Sequence, residues 1–155
     1  MNIKKIYATL NELLVKLFND ILKIEEDSLR TGEFNDLSIT EIHVIEAISI
    51  GQARNMSSVA WDLDITIGTL TIAINNLVRK GYVNRVRSEE DRRIVLISLT
   101  EKGEKAFRHH EEFHKEMINT TISRLSDEEM KVLISALGNI NFYFKEKYNL
   151  KKRYK

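Results

Sequence analysis

Cysteine and proline are both absent from the 155 residues. Without cysteine there is no disulfide, no thiolate metal site, no cysteine nucleophile and no cysteine-based redox sensor, and the default compartment is the cytoplasm. Without proline, nothing interrupts a helix by removing a backbone donor and clashing with the preceding turn, so long helices are favoured. No apolar run approaches the roughly 20 residues that a membrane span requires. The opening M-N-I-K-K-I-Y-A-T-L continues as an amphipathic pattern through Asn11, Glu12 and Lys16 rather than as a signal peptide, so no membrane partner is expected. No charge sign dominates: 24 Lys and Arg stand against 23 Asp and Glu, a formal net charge of +1. Any nucleic-acid site must therefore be a local patch. A glycine-rich phosphate loop, a paired-carboxylate cleft and a serine triad are also missing, and no enzyme and no cofactor are expected.

What is present is apolar periodicity. Ile3, Ile6, Tyr7, Leu10, Leu13, Leu14, Leu17, Ile21 and Ile24 recur at three- and four-residue steps, which predicts one amphipathic helix over 3–28 with a stripe that must be buried. The acids Glu25, Glu26 and Asp27 at its end read as a solvated face. After a connector containing Gly32, the capping box S-I-T-E (38–41) opens a helix over 39–50. A short helix at 57–63, with Trp61 packed on the core, leads into a helix with Thr66 as N-cap and Gly81 in the C-terminal glycine position. Residues 82–87 and 93–99 read as a hairpin. Thr100 caps a helix running to about 124, a second capping box at S-D-E-E (126–129) opens the last helix, and the tail K-K-R-Y-K reads as basic and frayed. The expected fold is mainly α with a small β-hairpin wing: a winged helix-turn-helix plus a helical dimerisation region.

On a helical wheel for 66–81, Ile67, Leu70, Ile74, Leu77 and Val78 share the core side, while Gly68, Thr69, Ile72, Asn75, Asn76 and Arg79 share the opposite side. That second face suits a major groove. Asn pairs bidentately with adenine, and Ile72 matches a thymine methyl. An exposed helix under no other demand would use Lys and Glu for propensity, and Gly68 in the first turn costs on the order of 1 kcal/mol. Close approach of a phosphate to the helix N-terminus accounts for it. Thr66 and Thr71 complete the candidate face.

Around the hairpin, Arg79, Lys80, Arg85, Arg87, Arg92 and Arg93 outnumber Glu89, Glu90 and Asp91, giving a patch that would neutralise phosphates. Asp91 and Arg93 stand two apart and lean to one face at a strand start. The carboxylate can therefore hold the guanidinium ready for a narrow minor groove, whose negative potential attracts arginine.

The stretches D-R-R-I-V-L-I-S-L-T-E-K-G (91–103) and L-D-I-T-I-G-T-L-T-I-A-I-N-N-L-V-R-K-G-Y-V (63–83) resemble the MarR family of winged-helix regulators over essentially the whole chain. The resemblance implies one MarR-like domain (1–155), with a helical dimerisation region at 1–35 and 104–155 and a DNA-binding region at 38–100. It implies a homodimer on double-stranded DNA at a palindromic operator. Asp91 then supports the wing and Arg93 is the arginine of the minor groove. Many family members are repressors answering a small ligand. Unlike much of the family, this chain has Ile72 and Ala73 where a basic residue often stands, which puts base reading by arginine there in doubt. The stretches at 24–30, 34–43, 67–82 and 87–93 resemble the branch that represses fatty-acid synthesis genes with an acyl chain on acyl carrier protein as effector. Leu22, Phe34, His43 and Phe113 are the candidates for contacting an acyl chain or other small apolar ligand. A repressor released by a small aromatic ligand, or controlled by a metal, is the alternative.

H-H-E-E-F-H (109–114) contains H-E-x-x-H at His110, Glu111 and His114, the zinc-peptidase spacing. No G-x-x-H follows, and three fixed positions arise easily in a helix rich in His and Glu. With His43, Glu128 or Glu129 as third ligand these residues are weak metal candidates beside the larger expectation of ordinary interface histidines. A zinc peptidase and a purely helical interaction protein are the readings outside DNA binding.

Overall fold

The computed structural model describes residues 2–148. Six helices and three short strands follow one another: α1 (Ile3–Thr31), α2 (Ile39–Ile48), β1 (Arg54–Asn55), α3 (Met56–Leu63), α4 (Ile67–Arg79), β2 (Val83–Arg87), β3 (Val95–Leu99), α5 (Glu101–Ile122) and α6 (Asp127–Tyr148). The antiparallel sheet has the order β1-β3-β2. Val83 faces Leu99 and Arg87 faces Val95 across the wing. The fold is the winged helix-turn-helix the sequence predicts. The tail from residue 149 onward lies outside the described residues.

Local chemistry sets the element ends. At α2, Ser38 Oγ accepts from the Glu41 amide at 3.2 Å while Glu41 Oε2 accepts from the Ser38 amide at 2.9 Å. The same reciprocal pair occurs at α6 between Ser126 and Glu129. The turn of the helix-turn-helix bends at Asp64, whose φ of 55° lies in the left-handed region. At the end of α4, Gly81 (φ 80°) allows the Tyr82 amide to reach the Leu77 carbonyl at 2.9 Å and the Gly81 amide to reach Val78 at 3.0 Å. That is a Schellman closure.

The core lies in the lobe formed by α2, α3, α4 and the sheet, around Ile42, Ile45, Val59, Leu70, Ile74 and Leu77, all fully buried. The N-terminus of α5 is fixed to it. Thr100 Oγ1 donates to the Gly81 carbonyl at 2.7 Å, and a Cβ on Gly103 would stand 2.1 Å from the Tyr82 carbonyl oxygen. Tyr82 itself is buried and donates to Asp36 Oδ1 at 2.6 Å; burial and the facing carboxylate push its phenol pKa well up, so it stays a donor.

Several expectations are corrected. Ile67 and Val78 are exposed, because α4 contacts the core along the narrower arc Leu70, Ala73, Ile74 and Leu77. Trp61 is 59% exposed rather than packed on the core. The two-residue β1, too short to leave a periodic signal, adds a third strand to the expected hairpin. In α1 only Glu25 and Leu29 are buried within the chain, so the apolar stripe from Ile3 to Ile24 is left largely uncovered by the chain itself.

Candidate nucleic-acid interface and the histidine cluster

Thr66 opens α4, its Oγ1 accepting from the Thr69 amide at 3.1 Å. The Thr69 hydroxyl lies 2.9 Å from the same oxygen, and Thr71 Oγ1 donates back to the Ile67 carbonyl at 2.7 Å. Gly68 is exposed, and an added Cβ would meet only Thr66 Oγ1, at an ordinary 3.7 Å. Nothing inside the chain requires glycine there. Ile72, 67% exposed, stands on the outer face with Thr69, Asn75 and Arg79, while Asn76 and Thr71 are half-buried.

The helix and the wing are joined by polar contacts. Arg85 on β2 donates to Asn75 Oδ1 at 2.9 Å, and Arg79 donates to Asn76 Oδ1 at 2.8 Å. Both amide groups are thereby oriented, with their NH2 groups left for a further acceptor. At the wing turn, Asp91 Oδ1 accepts from the Arg93 backbone amide at 3.0 Å and from Arg93 Nε at 3.2 Å. The Arg93 side chain nevertheless remains 93% exposed. The expected pairing is thus present, with the guanidinium terminus presented to solvent. Ile67, Thr71, Arg85 and Arg93 rim one concavity of about 460 Å³ between α4 and the wing, so helix and wing form one surface. Arg87 and Arg92 are exposed beside it.

Of the four candidates for an apolar ligand, His43 and Phe113 meet at the His110 ring, whereas Leu22 and Phe34 lie elsewhere. Leu22 borders an open cleft of about 650 Å³ between α1 and α2, shared with Leu29, Leu37, Ile39, Arg30 and Lys80. Phe34 is a buried core residue, set edge-on to Tyr82 and tilted over the His109 ring. Phe113 is half-buried against His110 and His114.

His43 belongs with His110 and His114 to one assembly around Glu25. Its Nε2 lies 3.0 Å from Oε1 of Glu25; His110 Nε2 lies 3.2 Å and His114 Nε2 3.7 Å from the same oxygen. His110 and His114 Nε2 are 3.1 Å apart. Glu25 and His110 are 4% and 3% exposed. Burial first, then the neighbouring His114, pushes the His110 pKa down to about 4, leaving it a neutral imidazole. Glu25, assigned from sequence to a solvated acidic face, is the residue sequence reasoning missed. Its position four residues after Ile21 and four before Leu29 puts it on the inward stripe, which was the available signal. Glu111, the carboxylate of the peptidase-like motif, is exposed, and Glu129 is engaged in capping α6.

Residues 32–110 match the model of the SarA/Rot transcriptional regulators. Across 90% of this chain and 98% of the other, the protein is 43% identical to Streptococcus pneumoniae FabT, solved in complex with DNA, with a TM-score of 0.85. The chain belongs to the SarA/Rot regulators, winged-helix proteins of MarR type. A Bacillus subtilis regulator of helix-turn-helix type, YpoP, is 28% identical over 85% of this chain and 88% of that protein. A MarR family protein of Bacillus stearothermophilus, at 21% identity and a TM-score of 0.73 over 94% and 99% of the two chains, shares the fold. Within a SarA/Rot regulator the pattern L-T-E-K-G (99–103) has a structural reason: Thr100 caps α5, and Gly103 is the residue over which the Tyr82 carbonyl passes. These relatives are described as regulators of transcription.

Proposed function

We propose that the protein is a homodimeric repressor that binds a palindromic operator in double-stranded DNA and controls fatty-acid synthesis genes, with an acyl chain, free or on acyl carrier protein, as effector. The observation that carries this is the 43% identity over 90% of the chain to a FabT solved on DNA. The helical face of Gly68, Thr69, Ile72, Asn75 and Asn76 enters the major groove, and Arg93, positioned by Asp91, enters the adjacent minor groove. Arg79, Arg85, Arg87 and Arg92 neutralise phosphates.

Homodimerisation is supported by the apolar surface that the chain leaves uncovered. Leu10, Leu13 and Leu17 on α1, and Val132, Ile134 and Leu137 on α6, are exposed over half or more of their surface. Large apolar side chains left exposed in that number point to an association surface. Residues 1–35 and 104–155 form the dimerisation region, and 38–100 the reading head. The effector is supported by the cleft between α1 and α2, whose volume of about 650 Å³ falls in the range of small-molecule sites. Leu22, Leu29, Leu37 and Ile39 give it an apolar side. Phe34 acts behind this cleft as core rather than in contact with the ligand.

Native mass spectrometry of protein purified from its own host tests the assignment. The expected spectrum has twice the chain mass and an additional acyl mass. A monomer would remove the two-lobed operator reading, and a dimer that takes up no acyl chain or acyl carrier protein when supplied would remove the effector.

A further inference from the structure

All four histidines of the chain fall at 43, 109, 110 and 114. Three of them direct Nε2 at one oxygen of one buried carboxylate, and the four residues come from three helices. Glu25 comes from α1, His43 from α2 in the reading head, and His110 and His114 from successive turns of α5. The ligand atoms of Glu25, His43 and His110 lie within 4.8 Å of one another, as do those of Glu46, His110 and His114.

From this geometry we infer that Glu25, His43, His110 and His114 form a binding site for a divalent transition metal ion, zinc by its chemistry, at the joint between the helical region and the DNA-binding lobe. Zinc bonds of about 2.0–2.1 Å at tetrahedral angles place neighbouring ligand atoms about 3.3 Å apart. The separations here are 3.0, 3.2 and 3.7 Å from Glu25 Oε1 to the three imidazoles, and 3.1 Å between His110 and His114. Hydrogen bonding alone serves the cluster poorly. His110 Nε2 carries at most one proton, yet it has two close neighbours, the carboxylate oxygen and the His114 nitrogen. A cation held among Glu25, His43 and His110, with His114 3.1 Å from His110, would take up the lone pairs that compete there for too few protons.

Three nitrogens and one oxygen, without sulfur, suit zinc better than calcium or magnesium, which take oxygen ligands in larger numbers. Glu46 Oε2, 3.8 Å from His110 Nε2, stands at the edge of the site as the outer carboxylate.

The test uses the full-length protein, stripped with chelator and titrated with zinc against a chromophoric competitor. One zinc per chain is expected, with X-ray absorption showing three imidazoles and one oxygen at about 2.0–2.1 Å. His43→Gln and His114→Gln change half-exposed side chains that the fold does not need, and each should weaken zinc binding by at least roughly tenfold. His109→Gln, on the same helix but turned toward Phe34, should leave it unchanged. Failure to bind zinc stoichiometrically, or retention of wild-type affinity in His43→Gln and His114→Gln, would overturn the site. An equal loss in His109→Gln would do the same, by showing that the effect is not local. Zinc binding is read here without DNA, so its outcome is independent of the proposed operator and effector.

Discussion

Arg93 and Gly68 make separate claims about how this protein meets DNA. Arg93 is held at both its amide and its Nε by Asp91, yet its end is exposed. On the proposed reading, removing it costs a DNA contact and nothing in the fold. Arg93→Ala should weaken binding to the selected duplex by about 1–3 kcal/mol and reduce the salt slope by about one, measured by fluorescence anisotropy over a salt series. Asp91→Ala removes a negative charge from a DNA-facing surface, and simple electrostatics would have it bind more tightly. A positioning role requires weaker binding, so tighter binding would refute that role. At Gly68 the logic reverses: alanine favours the helix by up to about 1 kcal/mol and meets no clash. Gly68→Ala should raise the thermal midpoint or leave it unchanged while lowering affinity for DNA. Unchanged affinity would show that no phosphate comes close there.

Among the elements, the junction of α4, β2 and α5 carries the greatest structural constraint. Gly103 lies against the Tyr82 carbonyl, and a methyl group at 2.1 Å from that oxygen cannot be accommodated by a side-chain rotation. Gly103→Ala should destabilise the fold by about 2–3 kcal/mol or more in urea unfolding. Loss of the α2 capping box in Ser38→Ala should cost about 1 kcal/mol. It also loosens Glu41, which receives the Lys80 ammonium at 2.7 Å and so ties α2 to the end of α4. The six helices and the hairpin were legible in the sequence, because periodicity, capping boxes and C-terminal glycines are local signals, whereas the two-residue β1 was not. Their mutual packing was not. The wheel of α4 placed Ile67 and Val78 inward by angle, but only the partners of a helix decide how wide an arc is covered. Glu25 was taken for surface because it stands in a run of acids, although a partner 18 residues away, His43, gives it a reason to be buried. The wing pair Asp91 and Arg93 was legible because its residues are two apart and need no tertiary knowledge.

At the scale of the molecule, α1 and α6 expose many large apolar side chains that the described residues leave uncovered. A charge set into that surface, as in Leu13→Glu, should shift sedimentation from dimer toward monomer and abolish high-affinity binding while the far-ultraviolet circular dichroism of the lobe survives. In the proposed homodimer, two reading heads related by a two-fold axis would demand a symmetric target with half-sites about one helical turn, roughly 10 base pairs, apart. Selection of duplexes from a random pool by the full-length protein, followed by sequencing, measures this directly. The expected result is an enriched palindrome at that spacing, lost with Arg93→Ala. Enrichment of a single asymmetric half-site, or no enrichment over the input pool, would contradict a homodimeric sequence-specific regulator.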